Sequence, residues 1–275
     1  MGVDDFHACL SSGSDAKPCS MQKLLIATSP SMDPAYNLAM EEFLLASRKE
    51  SVLFFYRNAP CVVVGKNQNP WRECHPSKLL EQGIQVYRRV SGGGAVYHDP
   101  GNLNISISMS RHLYCEPDVF GWWLSALADL GLRASRRGRN AIEVSEKKVS
   151  GQAFCYKGSR VLHHGTLLLD ADLERLQSVL TEPAIEGELD THAIESEPAV
   201  VMNLGLDLET VCQAFRKNAA AIFESTEEEF TLPELPVAEL DRLNSVEWNF
   251  GRTPKFTYQG ELVQHGLLNG EAFQL

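Results

Sequence analysis

The sequence predicts an α/β (α+β) chain of mixed β-sheets flanked by helices, on three observations. Apolar residues recur at helical spacing in some windows and alternate at strand spacing in others. The two patterns do not alternate with the regularity of a barrel or a doubly wound sheet. A length of 275 residues, 44% hydrophobic and 22% charged, suits one large globular domain or one domain with a small appendage.

Residues 1–20, with Ser11, Ser12, Gly13 and Ser14, read as a flexible leader. Asp33-Pro34 is a helix start, an N-cap side chain followed by proline at the first helical position. Ala35, Leu38, Ala39, Phe43 and Leu44 then share one face and carry the helix to about residue 48. Leu53 to Tyr56 and Cys61 to Val64 are short apolar runs on either side of Asn58-Ala59-Pro60, read as buried strands around a turn. Ile84, Val86 and Arg88 alternate with Gln85, Tyr87 and Arg89 in a strand leading to Gly92-Gly93-Gly94. Ile105 and Ile107 mark another strand. Val119, Trp123, Leu127 and Leu130 stripe a helix ending at Gly131, with Trp122 and Trp123 read as core.

Residues 140–169 read as short β-like pieces broken by Gly151, Gly158 and Gly165. Residues 181–198, with Pro183, Pro198 and six acidic side chains, read as a solvated loop. Leu208, Val211, Cys212, Phe215, Ala219, Ile222 and Phe223 make the clearest helix. From Leu232, three prolines punctuate a tail too short to hold its own core.

Composition excludes several functions. Twenty-five Lys and Arg against 36 Asp and Glu leave a net charge of −11, contrary to the basic surface that general nucleic-acid binding needs. No apolar stretch approaches the roughly 20 residues that span a bilayer. The N-terminus has Phe6 where a myristoylation signal wants Ser or Thr. Seven cysteines, an odd number with no C-x-x-C pair, suit free thiols in a reducing compartment, the cytoplasm, and no zinc site or other metal-ligand set.

The strongest local signal is Arg88-Arg89-Val90-Ser91-Gly92-Gly93-Gly94-Ala95-Val96-Tyr97-His98-Asp99. Consecutive glycines let a phosphate or carboxylate approach bare backbone N–H groups. Neither a Walker loop nor a dinucleotide fingerprint is present. A hairpin turn is the alternative reading, and the two arginines tip it toward an anion site. Arg133, Arg136, Arg137, Arg139, Lys147 and Lys148 form a second signal, a basic cluster in an acidic chain. With Arg88 and Arg89 it could hold a polyphosphate. Lys148, just before Gly151, could place its charge on a carboxylate and phosphate exchanging bonds. Of His163 and His164, one is expected to face inward as a satisfied core histidine. His98 and Asp99, adjacent on an extended chain, point opposite ways and are given separate structural roles. No G-x-S-x-G elbow supports a hydrolase.

In combination these segments resemble the lipoate-protein ligase and lipoyltransferase family, related in fold to biotin protein ligases. The resemblance runs from about Asp33 to Leu204, with a weaker echo at Glu247 to Phe256. It rests on the Asp33 to Glu42 helix start, Val62 to Trp71, the Arg88 to Asn102 loop, Lys148-Val149-Ser150-Gly151, His163 to Leu168, and Asn203-Leu204. It implies residues 21–231 as the catalytic domain and 232–275 as a truncated accessory-domain remnant or C-terminal tail. The implied activity is ATP-dependent conversion of lipoate or octanoate to the acyl-adenylate. The acyl group then passes to a lysine of a lipoyl domain of a 2-oxoacid dehydrogenase E2 subunit, or of the glycine cleavage H-protein.

Carried over by motif, Lys148 is the catalytic lysine. Arg89, Gly94, Ala95, Val96, Tyr97 and Lys148 are implied to bind nucleotide. Arg89, Gly93, Gly94, His98, Lys148, His164 and Thr166 are implied to bind lipoate, and residues near Val63 and Leu168 to line the acyl tunnel. ATP is implied with Mg2+ held by its phosphates rather than by the protein. Two departures stand out. Ala141 occupies a position where many members carry aspartate, and only 19 residues follow Phe256, leaving room for a separate accessory-domain protein. The alternatives are an acyltransferase using a preformed adenylate or protein-bound donor, and a non-catalytic lipoate or lipoyl-domain binder. No cysteine falls in residues 136–146, where thioester-forming relatives place theirs; Cys115 and Cys155 are the nearest thiols.

Overall fold

A computed structural model describes residues 22–180, 189–263 and 267 of the chain. The predicted leader, with Cys9 and Cys19, lies outside the described residues, as do Glu182, Pro183, Glu186 and Glu188 of the predicted acidic loop. In chain order the elements begin with β1 (Gln22–Thr28), α1 (Pro34–Ser47), β2 (Ser51–Tyr56), β3 (Cys61–Val64), α2 (Pro70–Glu73) and α3 (Pro76–Gln82). There follow β4 (Gln85–Arg88), β5 (Val96–His98), β6 (Asn102–Ser110), α4 (Glu116–Asp129), β7 (Ala134–Arg137), β8 (Ala141–Val144) and β9 (Lys147–Lys157). Last come β10 (Arg160–Leu168), α5 (Leu173–Leu180), β11 (Leu189–Thr191), α6 (Leu208–Ile222), β12 (Ser225–Glu229), α7 (Val237–Asn244), a π-helical turn Glu247–Gly251, β13 (Phe256–Tyr258) and β14 (Glu261–Val263).

Local chemistry sets the helix starts. Asp33 accepts from the Ala35 N–H at 2.9 Å ahead of Pro34, and Asp207 accepts from the Thr210 N–H at the head of α6, so orphan amides of both first turns are satisfied. The large sheet runs β12-β1-β2-β6-β10-β9-β8-β7. It is parallel at β12-β1-β2 and antiparallel from β2 onward. One face packs on α4 and α6, where Trp122, Trp123 and Phe215 meet edge to face and the Trp122 indole donates to the Phe215 carbonyl at 2.8 Å. On the other side, α1 packs with residues of both this sheet and a smaller sheet ordered β4-β3-β5.

Two sequence expectations need correction. β2 and β3 are buried as expected, but they do not pair around a turn: β2 lies in the large sheet and β3 in the small one. A run apolar on both faces announces burial, not its partner. Of Gly151, Gly158 and Gly165, only Gly158 breaks a strand. It sits at φ 58° in the two-residue turn between β9 and β10, while Gly151 and Gly165 lie inside those long strands.

The segment after Leu232 packs onto this body. Leu235 and Leu243 are buried with α1, and Phe250 with the small sheet. Asn249 joins the two. Its side-chain oxygen accepts from the Arg88 N–H at 2.9 Å and its amide donates to the Leu243 carbonyl at 2.9 Å. Replacing Asn249 by Ala strands two buried backbone groups, so the urea midpoint should fall by the equivalent of about 2–3 kcal/mol. An unchanged midpoint would show that these contacts do not hold the segment.

Candidate functional site

Strand β4 delivers two arginines to opposite destinations. Arg88 is 1% exposed, and its guanidinium donates to the carbonyls of Gly65, Lys66, Gln68 and Asn249 and to the Thr253 hydroxyl. All three nitrogens are engaged in structure and the side chain is buried, so Arg88 is not available to a polyphosphate. Arg89 faces the other way. Nη1 donates to the Val63 carbonyl at 3.0 Å, Nη2 to the Gly92 and Gly94 carbonyls at 2.7 Å, and Nε to the Ser91 hydroxyl at 3.0 Å. It thereby curls the glycine loop around itself. Burial pushes its pKa down to about 10, still charged at neutral pH.

Within the loop, Gly93 alone has a positive φ, 85°. Gly65 lies directly beneath: a Cβ there would stand 2.2 Å from the Gly93 carbonyl oxygen. The loop is further pinned by the Lys66 N–H donating to the Ser91 carbonyl at 2.8 Å. Buried Glu41, from α1, accepts from His164 Nδ1 at 2.9 Å, and in the neutral ring this leaves Nε2 to accept from the Ser91 hydroxyl at 2.7 Å. His163, next along β10, points to the opposite side of the sheet, between Gln152 and the Tyr114 hydroxyl. Both histidines are therefore buried, not one, because helices cover both faces of the sheet there. Burial holds His163 neutral, with a pKa pushed down to about 3. His98 and Asp99 have separate partners: His98 meets Asn58, while Asp99 accepts from the Gly101 and Asp172 amides.

Two neighbouring cavities open beside the loop. The smaller, about 300 Å³, is lined at one end by Leu38, Tyr56, Val63, His98 and His164, and at the other by Arg139, Ala141 and Glu195. The larger, about 590 Å³, is lined by Tyr97, Ser150, Leu168, Leu176 and Leu180. Both volumes fall in the range that small-molecule sites use. Lys148, Gly151, Thr166, Ala95 and Val96 line both. Val63 and Leu168, expected along one tunnel, thus line different cavities. Burial lowers the Lys148 pKa below the usual lysine value, opposed by Glu197 and reinforced by Arg89 and Arg137.

The expected solvated loop is corrected over its described part. Residues 193–201 form a strap along both cavities. The Ser196 hydroxyl accepts from the Ala95 N–H at 2.8 Å and from Gln68 at 3.0 Å, and donates to Glu73. Arg72 holds the Ala193 carbonyl and the Glu195 carboxylate, each at 2.8 Å, and the Lys148 N–H donates to the Val200 carbonyl at 2.8 Å. Sequence reading missed Ser196, Gln68 and Glu73. Glutamates and prolines gave the strap a solvated composition, and the partners of Ser196 lie more than 100 residues away. The basic cluster also divides. Arg136 pairs with Glu116 over the Phe120 ring and Arg137 with Glu143, while Arg137, Arg139 and Lys148 line the smaller cavity.

Cys155 lines neither cavity, and burial pushes its thiol up to about 11, which disfavours the nucleophilic thiolate. Among the described residues, no three His, Cys, Asp or Glu side chains are grouped to hold a metal ion, and no helix is long and apolar enough to cross a membrane.

The family model of the lipoyl protein ligase A/B catalytic domain matches residues 33–223. Solved structures agree. LipL1 of P. falciparum, solved in complex with lipoate, is 28% identical with a TM-score of 0.71, over 84% of this chain and 75% of that one. The bi-partite lipoate protein ligase of Thermoplasma acidophilum, described with its E2 lipoyl domain, is 25% identical with a TM-score of 0.69, over 83% and 96%. A lipoate-protein ligase A bound with ATP is 25% identical with a TM-score of 0.69, over 84% and 98%. The chain belongs to the lipoate-protein ligase family and has that family's catalytic-domain fold.

Proposed function

We propose that the protein activates lipoate, or octanoate, with ATP and transfers the acyl group to a lysine of a lipoyl domain or H-protein. The observation that carries this is the position of Lys148, which lines both cavities. The smaller cavity, closed by Leu38 and Val63, suits an acyl chain. The larger, with Tyr97 and Leu168, suits a nucleoside. In the first step a carboxylate oxygen attacks the α-phosphorus and pyrophosphate leaves. The Lys148 ammonium offsets charge on the oxygens that exchange bonds. In the second, the acceptor's ε-amine attacks the acyl carbonyl, loses a proton and expels AMP, with Lys148 beside the departing phosphate. Arg89 holds the glycine loop in place beside both cavities, which Ala95 and Val96 line. Free thiols fit a reducing compartment such as the cytoplasm.

Purified protein given ATP and lipoate should release pyrophosphate, and an added apo lipoyl domain should gain the mass of one lipoyl group. Cys155→Ala should leave both signals intact. Lipoyl transfer without pyrophosphate release, lost in Cys155→Ala, would replace this reading with a thioester route.

A further inference from the structure

Glycine inside a strand costs conformational entropy and packs nothing, and it marks a place where another group comes close. Gly151 lies within the 11-residue strand β9, and its φ is not positive. No backbone conformation therefore demands glycine there. Lys148 does. A Cβ at position 151 would stand 3.4 Å from Lys148 Cε, 3.5 Å from Nζ and 3.7 Å from the Thr166 hydroxyl oxygen. The ammonium thus lies beside bare backbone, and Lys148 and Gly151 line both cavities. Thr166 pins that backbone, its hydroxyl accepting from the Gly151 N–H at 3.0 Å.

Residues three apart in a regular strand point to opposite faces. Lys148 and Gly151 meet because β9 bulges between them. Ile142 of β8 pairs with Ser150 but Glu143 with Lys148, so Val149 is the extra residue, and it is fully buried in the core. The strap then fixes the re-aimed lysine. The Lys148 N–H donates to the Val200 carbonyl at 2.8 Å, and the Lys148 carbonyl accepts from the Met202 N–H at 3.1 Å.

Resting on the proposed function, we infer that Gly151 is a positioning residue for the reaction: by carrying no side chain it keeps the Lys148 ammonium, turned over it by the bulge at Val149, open to the carboxylate and phosphate oxygens that exchange bonds. The distances from a Cβ at 151 to Cε and Nζ are ordinary contacts, so a methyl group fits without strain. It takes the space beside the ammonium that a ligand oxygen needs. A branched side chain goes further and pushes the ammonium aside. Strand stability and catalysis therefore make opposite demands on this position.

The test measures pyrophosphate release from ATP and lipoate, with urea unfolding, in the full chain and in Gly151→Ala and Gly151→Val. The Ala variant should keep or raise the urea midpoint, since alanine loses less entropy in a strand interior. Its kcat should fall by about tenfold, part of what losing one charge donor costs, with KM for ATP changed by less than about threefold. The Val variant should lose about a hundredfold in kcat, the scale of moving a reacting group by about 1 Å. A stable Ala variant with unchanged kcat overturns the inference. So does a loss of activity that accompanies a lower midpoint, which reports a disrupted strand instead. Should neither variant fold, a crystal structure of the unaltered protein with lipoyl-AMP decides: a ligand oxygen should contact Lys148 Nζ on the side that Gly151 leaves bare. Ligand oxygens elsewhere overturn the inference. Failure of the unaltered protein to release pyrophosphate overturns the proposed function itself.

Discussion

Lys148→Ala should fold normally and lose about a thousandfold in pyrophosphate release, the scale of removing one preorganised charge donor from a developing oxyanion. The fold should not suffer, because burial disfavours the ammonium and lowers its pKa. Its charge therefore opposes folding wherever the unfolded chain binds more protons. The same shift has a kinetic consequence. Activity needs the protonated form, so in the unaltered protein the rate should fall as pH rises through a pKa below the usual 10.5 of lysine. Initial rates of pyrophosphate release across alkaline pH, with circular dichroism of the variant, check both halves. A variant that keeps full activity would remove Lys148 from the chemistry.

Gly65→Ala should cost about a hundredfold in activity, the scale of a displacement near 1 Å at a reacting centre. The added Cβ would meet the Gly93 carbonyl at 2.2 Å and the Gly92 carbonyl carbon at 3.2 Å. Backbone cannot swing aside like a side chain, so the glycine loop must retreat from Arg89 and from the smaller cavity, which Gly93 and Gly94 line. Stability should drop by about 1–3 kcal/mol, as for overpacking elsewhere. Gly92→Ala is the matched control. Nothing lies within 4 Å of its added Cβ, and its φ is not positive, so stability should change by less than about 0.5 kcal/mol. Paired urea unfolding and initial-rate measurements separate the two. Equal losses would mean that glycine content as such, not the stacking of Gly65 under Gly93, shapes the loop.

Much of this was legible in the residue string. The helix after Asp33 announced itself by its cap and its apolar stripe, and the helix from Leu208 by its apolar stripe of 3.6 period. The glycine triplet after an arginine pair, followed by Lys148 and the His163-His164 strand, marked the candidate site and the family. What could not be read was orientation. Arg88 and Arg89 are chemically identical neighbours, yet one is consumed by Asn249 and Thr253, and the other encircled by the glycine loop. The strap around Ser196 was equally hidden, because its hydrogen bonds reach back to Gln68, Glu73 and Ala95.

Periodicity, capping and motif spacing are local properties, and they determined which residues form helices and strands and which loop carries the chemistry. The partition into one eight-stranded and two three-stranded sheets, the burial of both histidines, the division of labour between the two arginines and the meeting of two cavities at Lys148 were decided only in three dimensions. Each depends on contacts between segments far apart in the chain, where close packing and the pairing of most buried polar groups, not local preference, select the arrangement.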